Sequence, residues 1–258
     1  MTMPFSLPLI RYVLVAAFRD RLLLAMFGLM LLAAVMSVLI TGAVIMDQTQ
    51  FAIASLASSI RLVTVIGMVV FISFFQRRAH DYREIDYLLA TPLGRYRYLI
   101  SVATGFIIIA FLSVVVMMLI LMGVHRYFSP VLIYWGGSAF IEVSLTATFA
   151  LFMATRLRSA TVCTLITLAF YSMARLMGAV LGALDAGMAN DMKFAKFYHL
   201  AMEFFAIIIP RFDLLAQSQW LIYEKVEGVT CALLLGQWTV FTALFLACAA
   251  FDLRRNQF

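Results

Sequence analysis

Six uninterrupted apolar runs decide what this chain can become. They cover residues 22–46, 51–75, 99–122, 131–155, 160–184 and 229–251, each 23 to 25 residues long. A helix rising about 1.5 Å per residue needs roughly 20 residues to cross about 30 Å of hydrocarbon. The runs are continuously apolar and do not alternate, so they read as helices. An open sheet would leave its edges unsatisfied in lipid. With 65% hydrophobic and 12% charged residues, a soluble fold of 258 residues could not hide its apolar surface. The expected fold class is all-α: one polytopic membrane domain over 1–258 with six transmembrane helices.

The segments between the runs carry the remaining information. Residues 9–21 set Leu9, Val13, Ala16 and Ala17 among Arg11, Arg19 and Arg21. This is the pattern of an amphipathic helix lying in the membrane interface before the first span. Between the second and third runs lies a charged segment, 76–98. In its middle Ile85, Leu88 and Leu89 fall at i, i+3, i+4 spacing, an apolar stripe on a short helix. A loop that only joins two spans needs no such stripe, whereas one that docks on a partner does. The longest loop, 185–228, holds FYHLAMEFFAIIIP, which is apolar but too short to span. Pro210 should end the helix before it. Leu214, Leu215 and the Trp220–Tyr223 stretch add a second apolar patch. Two readings stand for this loop: amphipathic helices on the outer membrane surface, or a re-entrant cap over a path through the bundle.

The formal charge of +6 is spread over the ends of the runs and forms no single patch, so it suits topology and lipid headgroups better than nucleic acid. Twelve of the 19 Lys and Arg residues fall on one side: Arg11, Arg19, Arg21, Arg77, Arg78, Arg83, Arg95, Arg97, Arg156, Arg158, Arg254 and Arg255. Five fall on the other, four of them in the long loop. Both termini are therefore expected on the cytoplasmic side. Cys163, Cys231 and Cys248 are odd in number and lie within apolar runs, so neither a disulfide framework nor a zinc site is expected. The first run is too long for the apolar core of a cleavable signal.

Three ionisable residues lie inside the runs: Arg61, Glu142 and Arg175. Counted from the outer end, all three sit at nearly the same depth, roughly 13–17 Å in. Unpaired charges there cost several kcal/mol. They are expected to form a buried cluster in which Glu142 pairs with one or both arginines. The choice is between a structural pair that fixes helix packing and a site with an arginine left for an anionic substrate. Gly178 and Gly182 form a GxxxG pattern, read as a close helix–helix contact. The sixteen methionines lack the repeated spacing of a copper site and serve better as gap-fillers. The three histidines are scattered, which leaves an intramembrane hydrolase with little support, and no metal site is expected.

Taken together, six spans, an N-terminal interfacial helix, a charged segment after span two and an apolar outer loop before span six resemble the permease subunit of ABC-2 type transporters. The likeness is most specific at Arg83-Glu84-Ile85-Asp86-Tyr87-Leu88-Leu89-Ala90-Thr91-Pro92-Leu93-Gly94-Arg95. There, together with the preceding Asp81, the acidic residue, the leucine pair Leu88-Leu89, Pro92 and Arg95 match the family's wording, while Glu84 and Gly94 depart from it. A second likeness is Pro210-Arg211-Phe212-Asp213-Leu214, similar to the family's segment between spans five and six. Asp47-Gln48-Thr49-Gln50-Phe51 and the Ile85-to-Arg95 wording look most like permeases that serve multicopper-enzyme maturation.

The resemblance implies a division of labour. Asp81, Arg83, Glu84, Ile85, Leu88, Leu89, Pro92 and Arg95 would form a coupling helix seated on a separate cytoplasmic ATPase. Two ATPases, carrying ATP and Mg, would drive two permease copies between inward- and outward-open states. The bilayer would be that of a bacterial inner membrane, with a periplasmic accessory protein as a further expected partner. Pro210, Phe212 and Asp213 become candidates for an outer gate. No G-x-x-x-x-G-K-[ST] occurs, so no nucleotide or other cofactor is expected on this chain itself. Export is the expected direction. The runner-up reading is a non-transporting scaffold that anchors an assembly or maturation complex through the same segment.

Overall fold

The computed structural model describes residues 6–41, 48–82, 95–126, 129–157, 159–185, 209–225 and 231–255. Among them all regular structure is helical: α1 (Leu7–Arg19), α2 (Arg21–Thr41), α3 (Gln48–Asp81), α4 (Arg95–His125), α5 (Pro130–Arg156), α6 (Ala160–Asp185), a 3-10 turn (Phe212–Leu214), α7 (Ser218–Tyr223) and α8 (Cys231–Arg255). Six of these, α2 to α6 and α8, are long and apolar enough to cross a membrane. The chain is thus a multi-pass helical membrane protein.

Two helices outrun the bilayer. At 34 and 31 residues, α3 and α4 are about 51 Å and 46 Å long. Hydropathy ends the second span at 75 and starts the third at 99, but the helices run on to Asp81 and begin at Arg95. Residues 76–81 contain no helix breaker, and Arg77 pairs with Asp81 one turn on, at 2.8 Å. The charged segment expected over 76–98 therefore starts and finishes as helix. Arg83, Glu84, Ile85, Leu88, Leu89 and Pro92 lie outside the described residues.

The bundle is built around α5, which packs on α3, α4, α6, α7 and α8. Its small residues make this possible, since Gly136, Ser138, Ala139, Ser144, Ala147 and Ala150 let neighbouring backbones approach closely. Its hydroxyls are satisfied internally: Ser144 donates to the Ile141 carbonyl at 3.0 Å and Thr148 to that of Leu145 at 2.9 Å. The Trp238 indole of α8 donates to Ser144 Oγ at 2.8 Å. By contrast, α2, α6 and α8 keep most of their surface turned outward, as lipid-facing spans do. Leu29, Leu32, Leu165, Leu176, Val240 and Leu244 are exposed there.

At the chain's start, α1 is a separate helix and not an extension of α2. Asp20 adopts extended geometry between them, with φ −82° and ψ 127°. Its carboxylate accepts the Leu22 amide at 2.9 Å, capping α2, and its other oxygen pairs with Arg78 of α3. Arg21, expected within the amphipathic segment, instead opens α2. The apolar stripe of α1 is Leu9, Ile10, Val13 and Ala17, and it packs on α4. Gly105 makes the seat: a Cβ there would lie 2.8 Å from Val13 Cγ1. Gly105→Leu should lift α1 from α4 and cost about 2 kcal/mol in detergent unfolding. Adding Val13→Ala should recover part of that loss, and an unchanged unfolding midpoint in the single variant would contradict this packing.

Asp20 with Arg78, Arg156 with Asp252, and Ser73 with Cys163 join elements at one end of the bundle. At the opposite end, Ser37 donates to the Ala52 carbonyl at 3.1 Å and lies 3.3 Å from His125 Nε2.

Candidate functional site

The buried charges come from three of the spans. Arg61 is on α3, Glu142 on α5 and Arg175 on α6, and the structure brings them together. Glu142 is fully buried, with Oε1 at 4.0 Å from Arg61 Nε and 3.7 Å from Arg175 Nη1. These are ion pairs rather than hydrogen bonds, which need about 3.2 Å or less. The close donor to Glu142 is the Tyr171 hydroxyl, at 2.7 Å.

The arginines direct their donors elsewhere. Arg61 Nη1 donates to the carbonyl of Ala216, and Arg175 Nη1 to those of Phe212 and, at 2.6 Å, Leu215. Those carbonyls belong to the segment 209–223, between the fifth and sixth spans. It is packed inside the bundle. Phe212, Leu215 and Ala216 are fully buried and Trp220 and Leu221 nearly so. The 3-10 turn packs on α6, and α7 on α3 and α5. The Phe212 ring meets Tyr171 at 5.6 Å between centroids, and Trp220 meets Tyr134 of α5 at 5.3 Å.

A break in regular structure at this depth is tolerated only where protein groups satisfy its backbone. The cluster does so. Besides the carbonyls held by the arginines, the Ala216 amide donates to Ser138 Oγ of α5 at 3.1 Å. Ala216 is held at φ 44°, in the left-handed region that a non-glycine residue rarely adopts. Two guanidinium groups thus face one carboxylate, and the excess positive charge meets the dipoles of three backbone carbonyls. Within the described residues, Glu142 Oε2 and Arg61 Nε have no hydrogen-bond partner.

The outer-gate candidates all belong to this segment. Pro210 is buried, and its carbonyl accepts the Phe212 amide at 3.0 Å. Phe212 packs on Tyr171. Asp213 pairs with Arg211 at 2.8 Å and sits against Gly178. A Cβ at Gly178 would lie 2.4 Å from Asp213 Oδ2, whereas one at Gly182 would meet nothing within 4 Å. The GxxxG reading is therefore corrected: Gly178 makes room for the re-entrant segment, not for a neighbouring helix.

No protein-family model matches the chain, and no curated protein does. The site is thus defined by its geometry. Of the expected coupling residues, Asp81 is placed at the end of α3, twenty residues beyond Arg61, and Arg95 at the start of α4, which carries no cluster residue. Sequence reading missed Tyr171 and Ser138. Each lies four residues before a cluster member, Arg175 and Glu142 respectively, on the same helix face, and that spacing is the signal that could have found them. Tyr171→Phe should lower stability by about 1.5–3 kcal/mol, the worth of a hydrogen bond to a charged group. An unfolding midpoint equal to wild type would exclude a strong Tyr171–Glu142 bond.

Proposed function

We propose that the chain is the membrane-spanning permease subunit of an ABC-2 type transporter, an exporter driven by a separate ATPase. The observation that carries this reading is the segment 209–223. Arginines and a serine from three spans hold it inside the outer half of the bundle, where it closes a route that the spans could otherwise open. It is the gate, and the Arg61–Glu142–Arg175 cluster is its latch.

The opposite end suits the drive. There α3 and α4 extend past the hydrocarbon and flank residues 83–94, whose Ile85, Leu88 and Leu89 have the sequence spacing of a stripe for an ATPase groove. Arg11, Arg19, Arg21, Arg77, Arg78, Arg97 and Arg156 also gather at that end, against Arg126, Arg211 and Lys225 at the other. This bias orients both termini toward the cytoplasm of a bacterial inner membrane. Two such chains and two ATPases binding ATP and Mg would complete the machine. ATP-driven closure of the ATPases would rock α3 and α4 and draw Arg61 away from Ala216, shifting a two-state equilibrium toward the open gate.

The test is affinity purification from native cells in mild detergent, with mass spectrometry of what accompanies the chain. A Walker-motif ATPase at about one copy per permease is expected, and Leu88→Asp should abolish its recovery without unfolding the bundle. Recovery of periplasmic or assembly proteins and no ATPase would favour a scaffold instead. Normal recovery of the ATPase with Leu88→Asp would remove the coupling role from that stripe.

A further inference from the structure

A second site lies at the elbow between α1 and α2. Arg19, Asp20, Arg21 and Leu22 of the elbow, with Phe74 and Arg78 of α3, line a cavity of about 410 Å³. Three guanidinium groups and one carboxylate line it, and that carboxylate is already engaged. One Asp20 oxygen accepts the Leu22 amide and the other pairs with Arg78. Arg19 and Arg21 are exposed and make no hydrogen bond or ion pair among the described residues. The cavity therefore holds a net positive charge with two unengaged forks, each shaped to take two oxygens of a phosphate.

Its height in the membrane selects the source of that phosphate. Phe74 belongs to the apolar stretch of α3, and Gln76, Arg77 and Arg78 follow it within one turn. The cavity thus straddles the boundary between hydrocarbon and headgroups, with arginines above and apolar carbon below. Phe74 lines it and is exposed, as are Phe18 and Leu24 next to the elbow in sequence, offering a surface for acyl chains. Arginine-lined pockets between spans at this level suit anionic headgroups.

We propose that this elbow binds one anionic phospholipid, its phosphate between Arg19 and Arg21 and its chains along Phe74. The occupied site would tie α1 to α3 through the lipid, beside the Asp20–Arg78 pair. This assignment does not depend on the transport reading.

The test is native mass spectrometry of the full chain released from mild detergent, titrated with phosphatidylglycerol or phosphatidylcholine. The wild type should retain one phosphatidylglycerol in preference to phosphatidylcholine. Arg19→Gln with Arg21→Gln should lower that retention about tenfold. The pair Arg19→Lys and Arg21→Lys, which keeps the charge but loses the forks, should fall between. Arg11→Gln with Arg126→Gln removes equal charge away from the cavity and should change retention less than twofold. Equal losses in the two glutamine pairs would overturn the site in favour of diffuse attraction, as would no loss in either. Full displacement of the lipid by millimolar inorganic phosphate would reassign the cavity to free phosphate. Because Arg19 and Arg21 are exposed, the variants should keep the wild-type unfolding midpoint in neutral detergent. A large drop there would show a structural role for these arginines and would also overturn the assignment.

Discussion

Glu142→Gln should destabilise the bundle by about 3–5 kcal/mol, the cost of leaving a buried charge without its partner. The side chain keeps its shape but loses the one negative charge that faces Arg61 and Arg175. Arg61 would then face carbonyl dipoles, and Arg175 those dipoles and the weaker attraction of Asp213. Unfolding in mild detergent measures the effect. Adding Arg175→Gln should give back part of the loss, because the two changes remove opposite charges in contact and their effects are not additive. A Glu142→Gln variant as stable as wild type would mean that the arginines are neutralised by something other than this carboxylate.

Gly178→Val should produce the second large effect. The new side chain would occupy the space of Asp213, whose Oδ2 lies 2.4 Å from an ideal Cβ at 178. Asp213 Cβ, which no rotamer change moves, would lie 2.6 Å away, so the conflict cannot be relieved by one rotamer. We expect a loss of about 1–3 kcal/mol and displacement of the segment, read as faster quenching of tryptophan fluorescence as Trp220 becomes accessible. Gly182→Val is the internal control. It meets open space, and a surface change of this kind should stay within about 0.5 kcal/mol. Equal damage from the two substitutions would restore the helix–helix reading of the pattern.

The sequence and the structure agree where the membrane itself writes the pattern. Continuous apolar runs gave the number and place of the spans, because hydrocarbon thickness sets run length. They did not give helix ends, because α3 and α4 continue as helix after hydropathy falls. Arg61, Glu142 and Arg175 could be gathered from depth alone, since three charges at one level in lipid need one another. Their principal hydrogen-bond acceptors could not be read. The carbonyls of Phe212, Leu215 and Ala216 carry no side-chain signature, and the apolar residues of the loop left a surface position and an inward turn equally open. Gly178 was legible as a place of close approach, but a glycine does not say what approaches it. Asp20 escaped notice as an ordinary polar residue between arginines, although it caps α2 and pairs with Arg78.

The most direct test of the proposed latch is the accessibility of position 216, in the chain reconstituted in liposomes with the ATPase proposed as its partner. Cys163, Cys231 and Cys248 carry free thiols, so they are first replaced, and Ala216→Cys then supplies the only one. A membrane-impermeant maleimide is added from the outer side. We predict slow labelling without nucleotide, fast labelling during ATP turnover, and fast labelling in every state once Arg61→Gln and Arg175→Gln release the segment. Labelling that stays equally slow with and without ATP, in a complex that hydrolyses ATP, would contradict the account.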